Sequence, residues 1–199
     1  LPDSSTSPGL VGGRLAIDFL NELGSSSDFA WEGLLRFLLV TRIISSERSA
    51  QLLALPQNDP QSAGALLDRA QRLHASFAEI FGTLLRKESL PRDWIEPINE
   101  VLRITEGHDE LFQQNGKWGL EFVAREGALD WLLAAIARSA AEIIAEGPSA
   151  RLRVCSNPSC GLLFYDNSRT RRRRWCSMTR CGNRNKVAAF SRRHSATRR

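Results

Sequence analysis

Cys155-Ser-Asn-Pro-Ser-Cys160 and Cys176-Ser-Met-Thr-Arg-Cys181 hold all four cysteines of the chain, a C-x4-C-x15-C-x4-C array near the end of 199 residues. Paired cysteines at short spacing, joined by a hairpin-sized loop, are what a tetrahedral thiolate site for zinc requires. Each pair grips the ion from one local turn, and the loop carries the chain between turns. Four thiolates leave no open position for water, so one structural Zn²⁺ is expected rather than a catalytic one. Leu152-Arg-Val154 alternates as a strand into the first pair, and Asn157-Pro158 reads as a turn. Residues 162–165 read as the next strand and Asp166-Asn-Ser168 as its turn. Cys181-Gly-Asn-Arg184 reads as the opening of a helix through Val187, Ala188 and Phe190. A knuckle plus a ligand near a helix N-terminus, where the dipole favours a thiolate, is a treble-clef-like arrangement.

Upstream, Gly147-Pro148-Ser149 is the natural boundary, giving a domain over 1–150 and a finger with a basic C-terminal helix over 151–199. After Gly12-Gly13, a turn signal, the apolar run to Leu23 reads as a short strand or the first turns of a helix. Asp28 reads as the N-cap of a helix over 29–40 with Trp31, Leu34, Leu35 and Leu38 on one face. A shorter helix is expected from Ser45 or Ser46 to Leu55, stopping before Pro56. Asp59-Pro60 is the clearest helix start, and Leu66, Leu67, Leu73, Phe77, Ile80, Phe81, Leu84 and Leu85 sustain a helical repeat to about residue 87. A short helix is expected near Asp93. Asn115-Gly116 between alternating segments predicts a hairpin, and residues 129–144 return to helical spacing. The expected fold class is α+β: a helix-dominated domain with a small antiparallel sheet, then a treble-clef-like zinc finger.

Charge divides at the same boundary. Residues 1–150 carry 13 Lys/Arg against 21 Asp/Glu, a net of −8, whereas 151–199 carry 14 against the single acid Asp166, a net of +13. A basic module on an acidic body points to a polyanion, nucleic acid first. No apolar run is long enough to cross a membrane, and the polar start has no secretory pattern, so reduced thiols in the cytoplasm are expected. The three histidines, His74, His108 and His194, are scattered, and no phosphate-binding glycine loop is present. The chain therefore reads as a non-enzyme.

Cys155-x4-Cys160, Phe164-Tyr-Asp166-x-Ser168-Arg169, Arg173-Arg-Trp-Cys-Ser177 and Cys181-Gly-Asn-Arg184-x-Lys186 together resemble the CGNR zinc finger family over residues 152–194. Gly13-Arg-Leu-Ala-Ile-Asp-Phe-Leu-Asn21 resembles the opening segment of the ABATE domain that precedes the finger in that family. The resemblance implies a bacterial stress-induced transcription regulator or an RNA-binding zinc-ribbon-like protein. It also implies Cys155, Cys160, Cys176 and Cys181 as the metal ligands.

The candidate phosphate contacts are Arg171, Arg172, Arg173, Arg174, Arg180, Arg184, Lys186, Arg192 and Arg193, because the planar guanidinium pairs with two phosphate oxygens at once. Asp166 reads as a salt-bridge partner of Arg169 or Arg184. Phe164, Tyr165 and Trp175 read first as packing around the metal and second as base-stacking surfaces. In the larger domain, Asp18 and Asn21 form a candidate ligand site, weighed against capping or buttressing the neighbouring turn. The expected function is a zinc-binding, nucleic-acid-binding regulator, DNA ahead of RNA, whose N-terminal domain senses a small-molecule effector or forms a homodimer. An RNA-binding or ribosome-associated protein and a protein-interaction finger are the alternatives.

Overall fold

A computed structural model describes residues 10–24, 29–104, 107–114, 117–124, 129–184 and 186–187. Its organising element is a 27-residue helix, Pro60–Arg86 (α5). Asp59 caps it by accepting the Ser62 N–H at 3.0 Å, Pro60 supplies a preset first turn, and Lys87 closes it in the left-handed region at φ 59°. Its inward stripe of Leu66, Leu73, Phe77, Ile80 and Phe81 is buried, as the repeat in the sequence requires.

Around it pack Leu15–Glu22 (α1), Trp31–Val40 (α2), Leu55–Asn58 (α4), Glu96–Ile104 (α6) and Trp131–Ala145 (α7), and Ser46–Leu53 (α3) packs against α2 and α4. The apolar run after Gly12-Gly13 thus forms a helix, and its Ala16, Ile17 and Phe19 are fully buried between α5 and α7. The second helix starts at Trp31 with Ala30 as a cap that makes no side-chain bond; Asp28 lies outside the described residues. Trp31, Leu34, Leu35 and Leu38 are buried together, and the Trp31 indole N–H donates to the Leu52 carbonyl at 3.0 Å, tying α2 to α3. Pro56 does not end helical structure here. It occupies the first turn of α4, where its missing N–H has no intrahelical acceptor to lose. A 3-10 turn at Arg92–Ile95 leads into α6, close to the helix expected near Asp93.

Strands Gly107–Gln114 (β1) and Lys117–Ala124 (β2) pair antiparallel with Gln114 opposite Lys117; the turn signal Asn115-Gly116 lies outside the described residues. Leu152–Val154 (β3) and Leu163–Tyr165 (β4) form a second antiparallel pair, in which Leu152 faces Tyr165.

This second pair docks on the helical core. Tyr165 is fully buried and belongs to the same apolar cluster as α1, α5 and α7. The outer edge of β4 is covered from the N-terminal segment: the Tyr165 N–H donates to the Gly12 carbonyl at 2.6 Å. Asn21 of α1 donates its carboxamide to the Leu163 carbonyl at 2.9 Å and accepts the Leu163 N–H at 3.2 Å. A strand edge leaves such backbone groups open, and here a carboxamide and a loop carbonyl take the place of a neighbouring strand.

Candidate metal centre and basic face

Cys155 follows β3, Cys160 lies on the turn between the strands, and Cys176 and Cys181 come from the segment after β4. Their four Sγ atoms lie within 4.8 Å of one another, with Cys160–Cys176 and Cys176–Cys181 each at 3.7 Å. A tetrahedron with metal–sulfur bonds of about 2.3 Å has edges of about 3.8 Å, so the set fits one ion. All four are free thiols, three are buried and Cys160 is half-buried. The Cys176 N–H points at Cys155 Sγ and the Asn157 carboxamide at Cys181 Sγ, both at 3.5 Å. Such donors favour thiolates. Burial pushes the Cys176 thiol up from its ordinary value. At Cys181 burial pulls the same way, but Asn157 and the neighbouring sulfurs outweigh it and hold the thiol below its ordinary value. A cation that binds thiolates offsets the charge this cluster concentrates.

The helical turn carrying the last ligand begins before the Cys181-Gly-Asn-Arg segment, as a wide turn over Met178–Gly182. Ser177 caps it, accepting the Arg180 N–H at 3.4 Å, and the Cys181 N–H donates to the Ser177 carbonyl at 3.0 Å. Cys181 therefore sits inside the first turn. Residues 183–184 and 186–187 continue as helix, and Ala188 and Phe190 lie outside the described residues.

Asp166 is completely buried at the start of the arginine-rich loop. Its partner is Arg153, whose Nε lies 3.2 Å away, rather than Arg169 or Arg184. One carboxylate oxygen accepts the Ser168 N–H and hydroxyl at 3.0 and 2.6 Å, and the other accepts the Arg173 N–H at 3.0 Å. Burial raises this carboxyl, but the Ser168 and Arg173 donors and the Arg153 guanidinium together hold it below the ordinary Asp range. Arg153 also donates to the Arg171 carbonyl at 2.7 Å, fixing the residue that carries the loop through φ 52°.

The cations divide into two groups. Arg171, Arg172, Arg174, Arg180, Arg184 and Lys186 are exposed. Arg173 is not available to a ligand in the same way: it donates to the carbonyls of Trp175 at 2.9 Å, Cys176, and Val11 at 3.4 Å, and lies 4.7 Å over the Phe164 ring. It is a buttress joining the finger to the N-terminal segment. Arg192 and Arg193 lie outside the described residues. Phe164 and Tyr165 are fully buried, so both serve packing. Trp175 is half-buried beneath the Arg174 guanidinium at 5.4 Å.

The structure gives the Asp18 and Asn21 side chains protein partners. Asp18 accepts the Gly12 N–H at 2.7 Å and Asn21 holds Leu163. Burial raises the Asp18 carboxyl against the lowering effect of the Gly12 and Val11 N–H groups. Together with the Asn167 carboxamide, which donates to the Gly13 carbonyl at 3.0 Å, these bonds dock the finger. Gly12 is required by proximity, because a Cβ there would lie 2.8 Å from Ile17 Cγ2 and 2.9 Å from the Asp18 nitrogen. The sequence reading overlooked Arg153, whose only signal was its place on a strand leading into the first ligand. His74 faces the Phe19 and Phe29 rings with Nε2 3.2 Å from the Leu20 carbonyl, and burial lowers its pKa. The side chain of His108 and all of His194 lie outside the described residues.

A helical domain with a small antiparallel hairpin, joined to a basic finger built on four clustered cysteines, defines a zinc-finger class of protein. Residues 13–147 match the ABATE family, described as "Putative stress-induced transcription regulator", and residues 151–194 match the CGNR zinc finger. The chain belongs to the ABATE family and carries a CGNR finger at its C-terminal side. No curated protein matches the chain. Among the described residues, no helix is long and apolar enough to cross a membrane.

Proposed function

We propose that the chain is a non-enzymatic, zinc-binding regulator of transcription that contacts nucleic acid through its finger and acts in the cytoplasm. The observation that carries this reading is the sorting of charge on the finger. Arg171, Arg172, Arg174, Arg180, Arg184 and Lys186 face solvent, as does Arg169, while the only acid of the segment, Asp166, is buried. Fields of one sign around a folded scaffold attract phosphate backbones. Cys155, Cys160, Cys176 and Cys181 would hold the Zn²⁺, whose contribution is to fold the finger and fix the loop that presents the arginines. The helical domain senses an effector or dimerises. Leu39, Val40 and Leu53, about 38, 50 and 51 % exposed at the C-terminal ends of α2 and α3, offer apolar surface for the latter.

The test is a fluorescence-anisotropy titration of the zinc-loaded chain with DNA and RNA. Arg171, Arg172 and Arg174 are replaced by alanine in the comparison protein, and Arg173 is retained because it buttresses the fold. If about six phosphates are engaged, the logarithmic salt slope is roughly −5. Binding that ignores salt and survives the triple substitution refutes the assignment. The acidic N-terminal part, at −8, favours one second reading, in which the basic face meets an acidic protein; retained protein binding without nucleic-acid affinity would select it.

A further inference from the structure

From the same finger we infer the form of its nucleic acid: the phosphate backbone of a double helix, met by an arginine loop that Asp166 and Arg153 hold in one conformation. This rests on the nucleic-acid reading above.

Two independent observations carry it. The first concerns stacking. Single strands are held largely by bases laid on exposed aromatic rings. In the described part of the finger the aromatic residues are Phe164, Tyr165 and Trp175. Phe164 is fully buried under Arg173, Tyr165 is fully buried with the Arg14 and Arg151 guanidinium carbons 4.6 and 5.3 Å from its ring centre, and Trp175 is half-buried under Arg174. Two of the three described rings of the finger are closed to a base and the third, Trp175, is half-buried, whereas most of the described cations are exposed.

The second concerns order in the loop. Asp166 takes the N–H and hydroxyl of Ser168, the N–H of Arg173 and the Arg153 guanidinium, so one carboxylate ties both ends of the loop to β3. Arg153 then bonds the Arg171 carbonyl at 2.7 Å, which pins the left-handed residue between Arg172 and Ser168. Loop backbone held this way places Arg171, Arg172 and Arg174 at set positions before any ligand arrives. A loop fixed beforehand avoids the backbone part of the ordering cost of binding, and leaves only the side chains to be ordered by the ligand. That gain is full only against phosphates that are themselves regularly spaced. A duplex supplies them and a flexible single strand does not.

The consequence runs against simple charge counting. Asp166→Asn raises the net charge of the chain from its formal +5 by one, which alone would tighten binding to a polyanion. Loosening the loop instead weakens duplex binding by about five-fold. Arg153→Lys preserves charge but replaces a fork with a single ammonium, and weakens it by about three-fold.

The experiment titrates the full zinc-loaded chain and both variants against a 20-base-pair DNA duplex, an RNA duplex of the same sequence, and a 20-nucleotide oligo-dT, at two salt concentrations. The expected result is duplex binding about ten-fold tighter than oligo-dT, with both variants weaker and their salt slopes unchanged because the number of phosphate contacts is the same. The two duplexes decide between DNA and RNA. Oligo-dT binding as tight as duplex binding overturns the inference and leaves the nucleic-acid reading standing. Variants that hold metal yet bind the duplex as well as, or better than, the parent overturn the role of the clamp. If Asp166→Asn loses its metal, Arg153→Lys alone decides, since Arg153 is 45 % exposed and coordinates nothing. No binding of the parent chain to any of the three removes the proposed function itself.

Discussion

Replacing Asn21 by alanine tests whether the finger and the helical domain are one thermodynamic unit. The carboxamide makes two hydrogen bonds to the backbone of Leu163, at 2.9 and 3.2 Å, across 142 residues of sequence. Both lie in a half-buried contact, and alanine offers nothing to replace them. Each such bond contributes about 1 kcal/mol net, so Asn21→Ala should cost about 2 kcal/mol. For a chain of this size that lowers Tm by about 6 °C. The assay follows urea unfolding by helical circular dichroism and, in parallel, by release of metal to a colorimetric chelator. A coupled unit shows both transitions moving together to lower urea. Separate transitions in the parent chain, with Asn21→Ala moving neither by more than about 0.5 kcal/mol, would refute the docking described for β4. Asn21→Asp keeps the acceptor for the Leu163 N–H but sets a carboxylate against the Leu163 carbonyl, so it should be no better than alanine.

Gly12→Ala should destabilise the chain by about 2 kcal/mol, measured by urea unfolding, because the added methyl meets Ile17 and the Asp18 backbone below 3.0 Å. Cys176→Ser should abolish metal binding by mass spectrometry and melt the finger, since structural zinc contributes on the order of 10 kcal/mol to small folds; Tyr165 and Leu163 should then lose hydrogen-exchange protection with it. Burial lowers the folded pKa of His74, so as pH falls through the ordinary His range the unfolded chain takes up a proton that the folded chain resists. Stability contributed by this neutral site is complete above that range and declines on acidification; His74→Gln should flatten the change in Tm between about pH 7 and about pH 5. A dependence that survives the substitution unchanged would assign it to other groups.

The cysteine cluster was legible because its chemistry is local: cysteines five residues apart on a turn bring their sulfurs together whatever the rest of the chain does. The long helix was legible for a related reason, since Asp59-Pro60 and the repeat through Phe77 and Phe81 act within a few turns. The segment after Gly12-Gly13 was not, because eight residues of apolar sequence suit a strand or a helix, and burial of Ala16, Ile17 and Phe19 between α5 and α7 decided for the helix. Pro56 was misread as a stop since proline is equally at home in a first turn.

At the candidate site the same division holds. Residue type and short spacing were enough for the clustering of four cysteines able to hold a metal, the concentration of positive charge after residue 150 and the helical character of most of the chain. It took packing across the whole fold to make Arg173 a buttress while its neighbours face solvent, to pair Asp166 with Arg153, and to turn Asp18 and Asn21 toward the finger through Gly12 and Leu163. Those assignments join residues up to 162 positions apart. No local pattern encodes such pairings, because which buried donor meets which acceptor is fixed only when helix and strand edge are packed together.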